Sequence, residues 1–128
     1  MSIDINLTIL QGNLGANPEL RVTQTGLTIV NLRLATNESY KQGDEWKERV
    51  HWHRITLFGK NAENCAKVLC KGSSVFIQGR TTYGKYTDKQ GNERWSTDII
   101  AETWRYSGGP RKPVEARDLP SIDETLAP

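Results

Sequence analysis

The sequence predicts an all-β domain: a small five-stranded barrel with one short helix between strands 3 and 4, followed by a disordered C-terminal tail. Three observations lead there. Apolar residues recur at every second position through most of the first hundred residues, the period of half-buried strands. The one stretch with a helical period, "KNAENCAKVLCKG", is short and lies mid-chain. Four of the five prolines fall beyond residue 107, where apolar periodicity stops.

"DINLTILQG" alternates Ile5, Leu7 and Ile9 before Gly12 and reads as the first strand. "GNLGANPEL" is turn-forming, and "LRVTQTGLT" is a short extended piece turning at Gly26. "TIVNLRLATNESY" is a longer strand with Val30, Leu32 and Leu34 on one face, and "YKQGDEWKE" reads as a polar loop around Gly43. The next strand runs from about Lys47 to Phe58. Its Ile55 and Leu57 point one way, while Trp52, Arg54, Thr56 and Phe58 point the other. In the helix, Ala62, Cys65, Ala66 and Leu69 share a face, and Lys71 and Gly72 supply a stop. "SSVFIQGR" returns to period two with Val75 and Ile77, and a hairpin follows with its loop around Asp88 to Glu93. Five strands with a helix between the third and fourth match an OB-type Greek-key barrel, which leaves one face and its loops free for an oligonucleotide.

The domain reading is therefore a barrel over 1–106 and a flexible, acidic-ended tail over 107–128. The last fifteen residues carry Glu115, Asp118, Asp123 and Glu124 against one base, Arg117, whereas residues 1–107 hold fourteen Lys and Arg against eleven Asp and Glu. A formal net charge of +2 neither requires nor excludes a nucleic-acid partner. No apolar run is long enough to cross a membrane, and the N-terminus lacks the basic and apolar regions of a secretory signal. A cytoplasmic protein is expected, with Cys65 and Cys70 reduced.

The outward Trp–Arg–Phe stripe needs a partner. Every base has a π-face, so an aromatic ring stacks on any base, at about 1–3 kcal/mol each, while Lys and Arg neutralise phosphates. Trp52, Arg54 and Phe58, with Lys60 just beyond, interleave the two chemistries; Tyr40 beside Lys41, and Lys85 beside Tyr86, repeat them. A duplex hides its base faces, so such platforms point to single strands. The competing reading places these rings in the core or in a subunit contact. Phe76 and Trp104 read as packing; Trp46, Trp95 and Tyr83 fit either role, with Trp95 expected to face Tyr86 across the hairpin.

His51 and His53 share a strand face and could hold a metal, but no third ligand is placed to join them. A packing role or an interface hydrogen bond is expected instead. There is no glycine-rich phosphate loop, nucleophile elbow or placed carboxylate pair, so neither an enzyme nor a cofactor is expected.

On four blocks in order the chain resembles the bacterial single-stranded-DNA-binding proteins: "LQGNLGANPELR", "LATNESY", "WHRITLFGKNAENCAKVLCKGSSVFIQGR" and "YTDKQGNERW". The resemblance runs from about Ile3 to Trp104. It implies a homotetramer of OB folds that binds single-stranded DNA in replication, recombination and repair, associated with the nucleoid. It also implies base stacking at Tyr40, Trp52, Phe58 and Tyr86, phosphate contacts at Arg54, Lys60, Lys71 and Lys85, and a subunit-interface role for His53. In the family the positions of Tyr40 and Tyr86 are commonly tryptophan, so weaker stacking is expected there. The family's acidic C-terminus, which recruits replication and repair enzymes, usually closes in Pro-Phe; "RDLPSIDETLAP" is acidic without a terminal Phe, which puts that recruitment in doubt.

Overall fold

The computed structural model describes residues 4–112. Six strands and one helix follow in order: β1 (Thr8–Leu14), β2 (Glu19–Val22), β3 (Thr28–Gln42), β4 (Glu45–Phe58), α1 (Gly59–Val68), β5 (Ser74–Thr87) and β6 (Glu93–Gly108). Neighbours run β1-β5-β6-β4-β3-β2, and a second pairing of β1 with β3 closes five of them into a barrel. The four-residue β2 lies outside that ring, added to β3. All pairings are antiparallel except β4 with β6, where Ile55 lies level with Ile99. The five-stranded barrel of the sequence reading is present, with the helix between its third and fourth strands.

Alternate residues of each strand fill the barrel. Val30, Leu32 and Leu34 of β3 meet Ile55 and Leu57 of β4, Val75 and Ile77 of β5, and Ile99 of β6, all buried. Ala62, Cys65 and Val68 of α1, with Leu69 just after it, complete the core, while Ala66 is only partly covered. Burial pushes the Cys65 thiol up to about 12, so it packs as a small neutral side chain. Gly59 joins β4 to α1 with φ +68, a left-handed value that a side chain would resist, so the chain turns sharply straight after Phe58.

Three features go beyond the sequence reading or differ from it. The alternating Ile5, Leu7 and Ile9 face outward, 89%, 58% and 56% exposed, because Leu10 and Leu14 take the inward positions. The apparent polar loop around Gly43 is strand almost throughout: β3 reaches Gln42, β4 starts at Glu45, and only Gly43 (φ +64) and Asp44 turn. Its polar composition reflects an arm with both faces uncovered, since beyond Ala35 the two strands pair only with each other.

Residues 107–112, the expected start of the tail, are held on the barrel. β6 continues to Gly108, the Lys112 N–H donates to the Val68 carbonyl (2.9 Å), and Lys112 Nζ reaches the Ala66 carbonyl (2.7 Å). The rest of that tail, 113–128, lies outside the described residues.

Candidate functional site

The strand period of two puts Trp46, Val50, Trp52, Arg54 and Phe58 on the outer side of β4, with Ile55 and Leu57 on the barrel side. Trp52 is 54% exposed and Phe58 41%. In β3 the outward partners of this row are Ile29, Asn31, Arg33 and Ala35, with Arg33 opposite Arg54 and Ala35 opposite Trp52. A small residue beside the indole leaves room above the sheet.

Trp52 is held rather than loose. Its ring passes so near Gly15 that a Cβ there would sit 2.4 Å from two ring carbons. The Arg33 guanidinium lies 5.5 Å from the ring centroid, within cation–π range. Alongside runs a cleft of about 270 Å³, lined by Asn17, Glu19, Asn31, Arg33 and Arg54 among others. Arg33 joins the candidate site by position, and the sequence reading did not name it. Its signal was present, because it occupies an outward position between Leu32 and Leu34 of a half-buried strand.

The four sequence-predicted phosphate contacts occupy different settings. Arg54 Nε sits 3.3 Å from Asp98, and Lys85 Nζ 3.3 Å from Glu93. Such exposed pairs are worth about 0–1 kcal/mol, so a phosphate can displace the carboxylate. Lys60 lies in the first turn of α1, two residues beyond Phe58, and is exposed. Lys71 lies in the turn after α1, where its N–H donates to Asn17 Oδ1 (2.8 Å), and the N–H of the adjacent Gly72 donates to the Leu14 carbonyl (2.8 Å). That places Lys71 at the corner where Gly15 meets Trp52.

The β5–β6 hairpin carries Tyr86 opposite Arg94, on the same outer face as Asp98 and therefore as Arg54. Asp88 braces its loop: Oδ1 accepts from the Gln90 and Asn92 N–H groups (both 2.9 Å), and Oδ2 accepts from Arg94 Nε (3.0 Å). These bonds, the backbone contact with Asn92 first, hold the Asp88 carboxyl below the usual carboxylate range. Trp95 does not face Tyr86. It lies opposite Lys85, whose ammonium is 5.1 Å from the indole centroid, on the reverse side with Tyr83. Lys85 and Tyr86, adjacent in sequence, therefore point to opposite faces.

Tyr40 also lies on the reverse face of its arm, in the inward row with Leu34, Thr36 and Glu38, and the Arg49 guanidinium covers its ring at 4.4 Å. The structure thus brings Trp52, Arg54, Phe58 and Tyr86 onto one face and sets Tyr40 and Lys85 on the other. His53 is half-buried in that inward row, with Nε2 2.9 Å from Thr36 Oγ1. Burial, with a smaller contribution from His51, lowers its pKa and favours the neutral ring. His51 instead meets Glu38 at 2.8 Å, and among the described residues no group of three His, Cys, Asp or Glu side chains could hold a metal. Trp104 packs against the core, whereas Phe76 is half-buried on the outer side.

The model of the single-strand binding protein family matches residues 5–107. The chain is 43% identical over 110 residues to a single-stranded DNA-binding protein of Xanthomonas axonopodis pv. citri, covering 85% of this chain and 61% of the relative. It is 42% identical over 110 residues to that of Xylella fastidiosa, covering 85% and 67%. The chain thus spans about two thirds or less of the length of these curated relatives. Among solved structures, a deletion mutant of the single-stranded DNA binding protein from Thermus aquaticus superimposes with a TM-score of 0.72 at 31% identity, over 82% of this chain and 51% of that one.

Proposed function

This chain belongs to the single-strand binding protein family, and we propose that it binds single-stranded DNA without regard to sequence, on the outer face of β4 and the adjoining β5–β6 hairpin. The observation that carries this reading is the exposed row of Trp52, Arg54 and Phe58, with Tyr86 on the same side. Bases stack on the rings, and Arg33, Arg54, Lys60 and Lys71 take phosphates along the cleft. Lys85 and Tyr40 meet a strand only where it passes round a hairpin edge, so their contributions are smaller. No bond is made or broken in this role.

Binding unpaired strands and not duplex favours the unpaired state by mass action. The protein in this way removes secondary structure and shields strands during replication, recombination and repair in the cytoplasm. Exposed Ile5, Leu7 and Ile9 at the start of the chain suit contact with further copies in a homotetramer, as does His53 in the inward row of β4. Any docking of replication or repair enzymes would fall on the acidic sequence beyond Lys112, without the terminal Phe that usually closes the family's tail.

Competition at one fixed salt concentration tests the reading. Poly(dT) is expected to displace a labelled single strand at far lower concentration than duplex DNA of equal length. Equal displacement by duplex removes the stacking basis.

A further inference from the structure

We propose that Trp46 extends the stacking face to the tip of the β3–β4 arm, as a further base platform for the same single strand. This inference rests on the reading above and adds a residue and a direction to it. Trp46 is 72% exposed and is the second residue of β4, separated from the two-residue turn by Glu45 alone. Strand alternation puts it in the outward row with Trp52 and Phe58, six residues before the one and twelve before the other. At roughly 3.3 Å per residue, the three rings stand about 20 Å apart along one strand. Val50, 48% exposed in the same row, keeps the stretch between Trp46 and Trp52 partly apolar.

Charge complementarity selects the occupant. Lys41 lies directly opposite Trp46 across the arm, and Arg33 and Arg54 lie further down the same face. The acids on this side are Glu48, between Trp46 and Val50, Asp98, which Arg54 engages, and Glu19 of β2, opposite Asn31 in the cleft that Arg33 and Arg54 line. Three cations thus accompany the rings, as a polyanion with stacking bases requires. The reverse face is already engaged within the chain, with Arg49 over Tyr40 and His51 on Glu38.

Two single-tryptophan proteins test this, since the chain has four tryptophans. Substituting Trp52→Phe, Trp95→Phe and Trp104→Phe leaves Trp46 as reporter; substituting Trp46→Phe, Trp95→Phe and Trp104→Phe leaves Trp52. Titration with oligo(dT) is expected to quench both, and Trp46→Ala in the otherwise natural chain is expected to weaken long-oligonucleotide binding about 5- to 150-fold. Quenching of Trp52 with Trp46 emission unchanged and Trp46→Ala at full affinity overturns this inference and leaves the proposed function standing. Quenching of neither, with no binding, overturns the proposed function as well. A Trp46 emission that shifts on dilution without DNA, with affinity unaffected in Trp46→Ala, assigns the ring to contact between copies and overturns the inference.

Discussion

Replacing Trp52 with alanine is expected to weaken oligo(dT) binding by about 1–3 kcal/mol while leaving the fold intact, a range established for single-strand binders on this kind of barrel rather than derived from this structure. Trp52 is the ring with the most support: Gly15 lies against it, Arg33 sits 5.5 Å from its centroid, and the cleft lined by Arg33 and Arg54 runs beside it. A ring held this way loses little side-chain freedom when a base arrives, so more of the stacking energy survives as affinity. The outward position explains why stability should not suffer, since Trp52 stands outside the buried core cluster. Fluorescence anisotropy with a labelled oligonucleotide reads the affinity, and a denaturant melt reads the fold. Phe58→Ala is expected to act in the same direction, without strict additivity, because one strand would touch both rings. Natural affinity in a folded Trp52→Ala protein contradicts the stacking account.

Ile55→Ala is expected to do the reverse, costing about 2–5 kcal/mol of stability. Ile55 is fully buried, opposite Leu32 of β3 and level with Ile99 of β6, at the parallel pairing that helps close the barrel. Truncation there leaves a cavity where three strands meet, and rigid flanking strands cannot collapse into it. Urea denaturation should show a lower midpoint with an unchanged slope. At a denaturant-free temperature where the variant remains folded, its affinity for oligo(dT) should stay close to that of the natural chain. A cost well under about 1 kcal/mol would show that the inward face of β4 is not the anchor of the outward one.

What the sequence made legible follows from what each period encodes. Ile55 and Leu57 against Trp52, Arg54 and Phe58 was readable because a strand buried on one side imposes its alternation on the residues. The buried face of α1 was readable for the same reason at a period of 3.6, through Ala62, Cys65 and Leu69. The β3–β4 arm was not, because neither of its faces packs on the core and nothing forces its residues to alternate. Trp46 was thereby left without a face and Tyr40 without the knowledge that it points away from Trp52. The partner of Trp95 was hidden too, since cross-strand register depends on how many residues the Asp88–Asn92 turn consumes. Ile5, Leu7 and Ile9 carried a clear period but not its direction; Leu10 and Leu14 of the same strand decided that.

In the proposed binding mode a single strand lies on this face with its bases stacked and its phosphates neutralised. The most direct measurement is the affinity for oligo(dT) across a series of salt concentrations. The log–log slope is expected near −0.7 per neutralised phosphate, hence about −3 where Arg33, Arg54, Lys60 and Lys71 each meet one, with substantial affinity persisting at high salt through the rings. An affinity that does not change with salt would contradict the account.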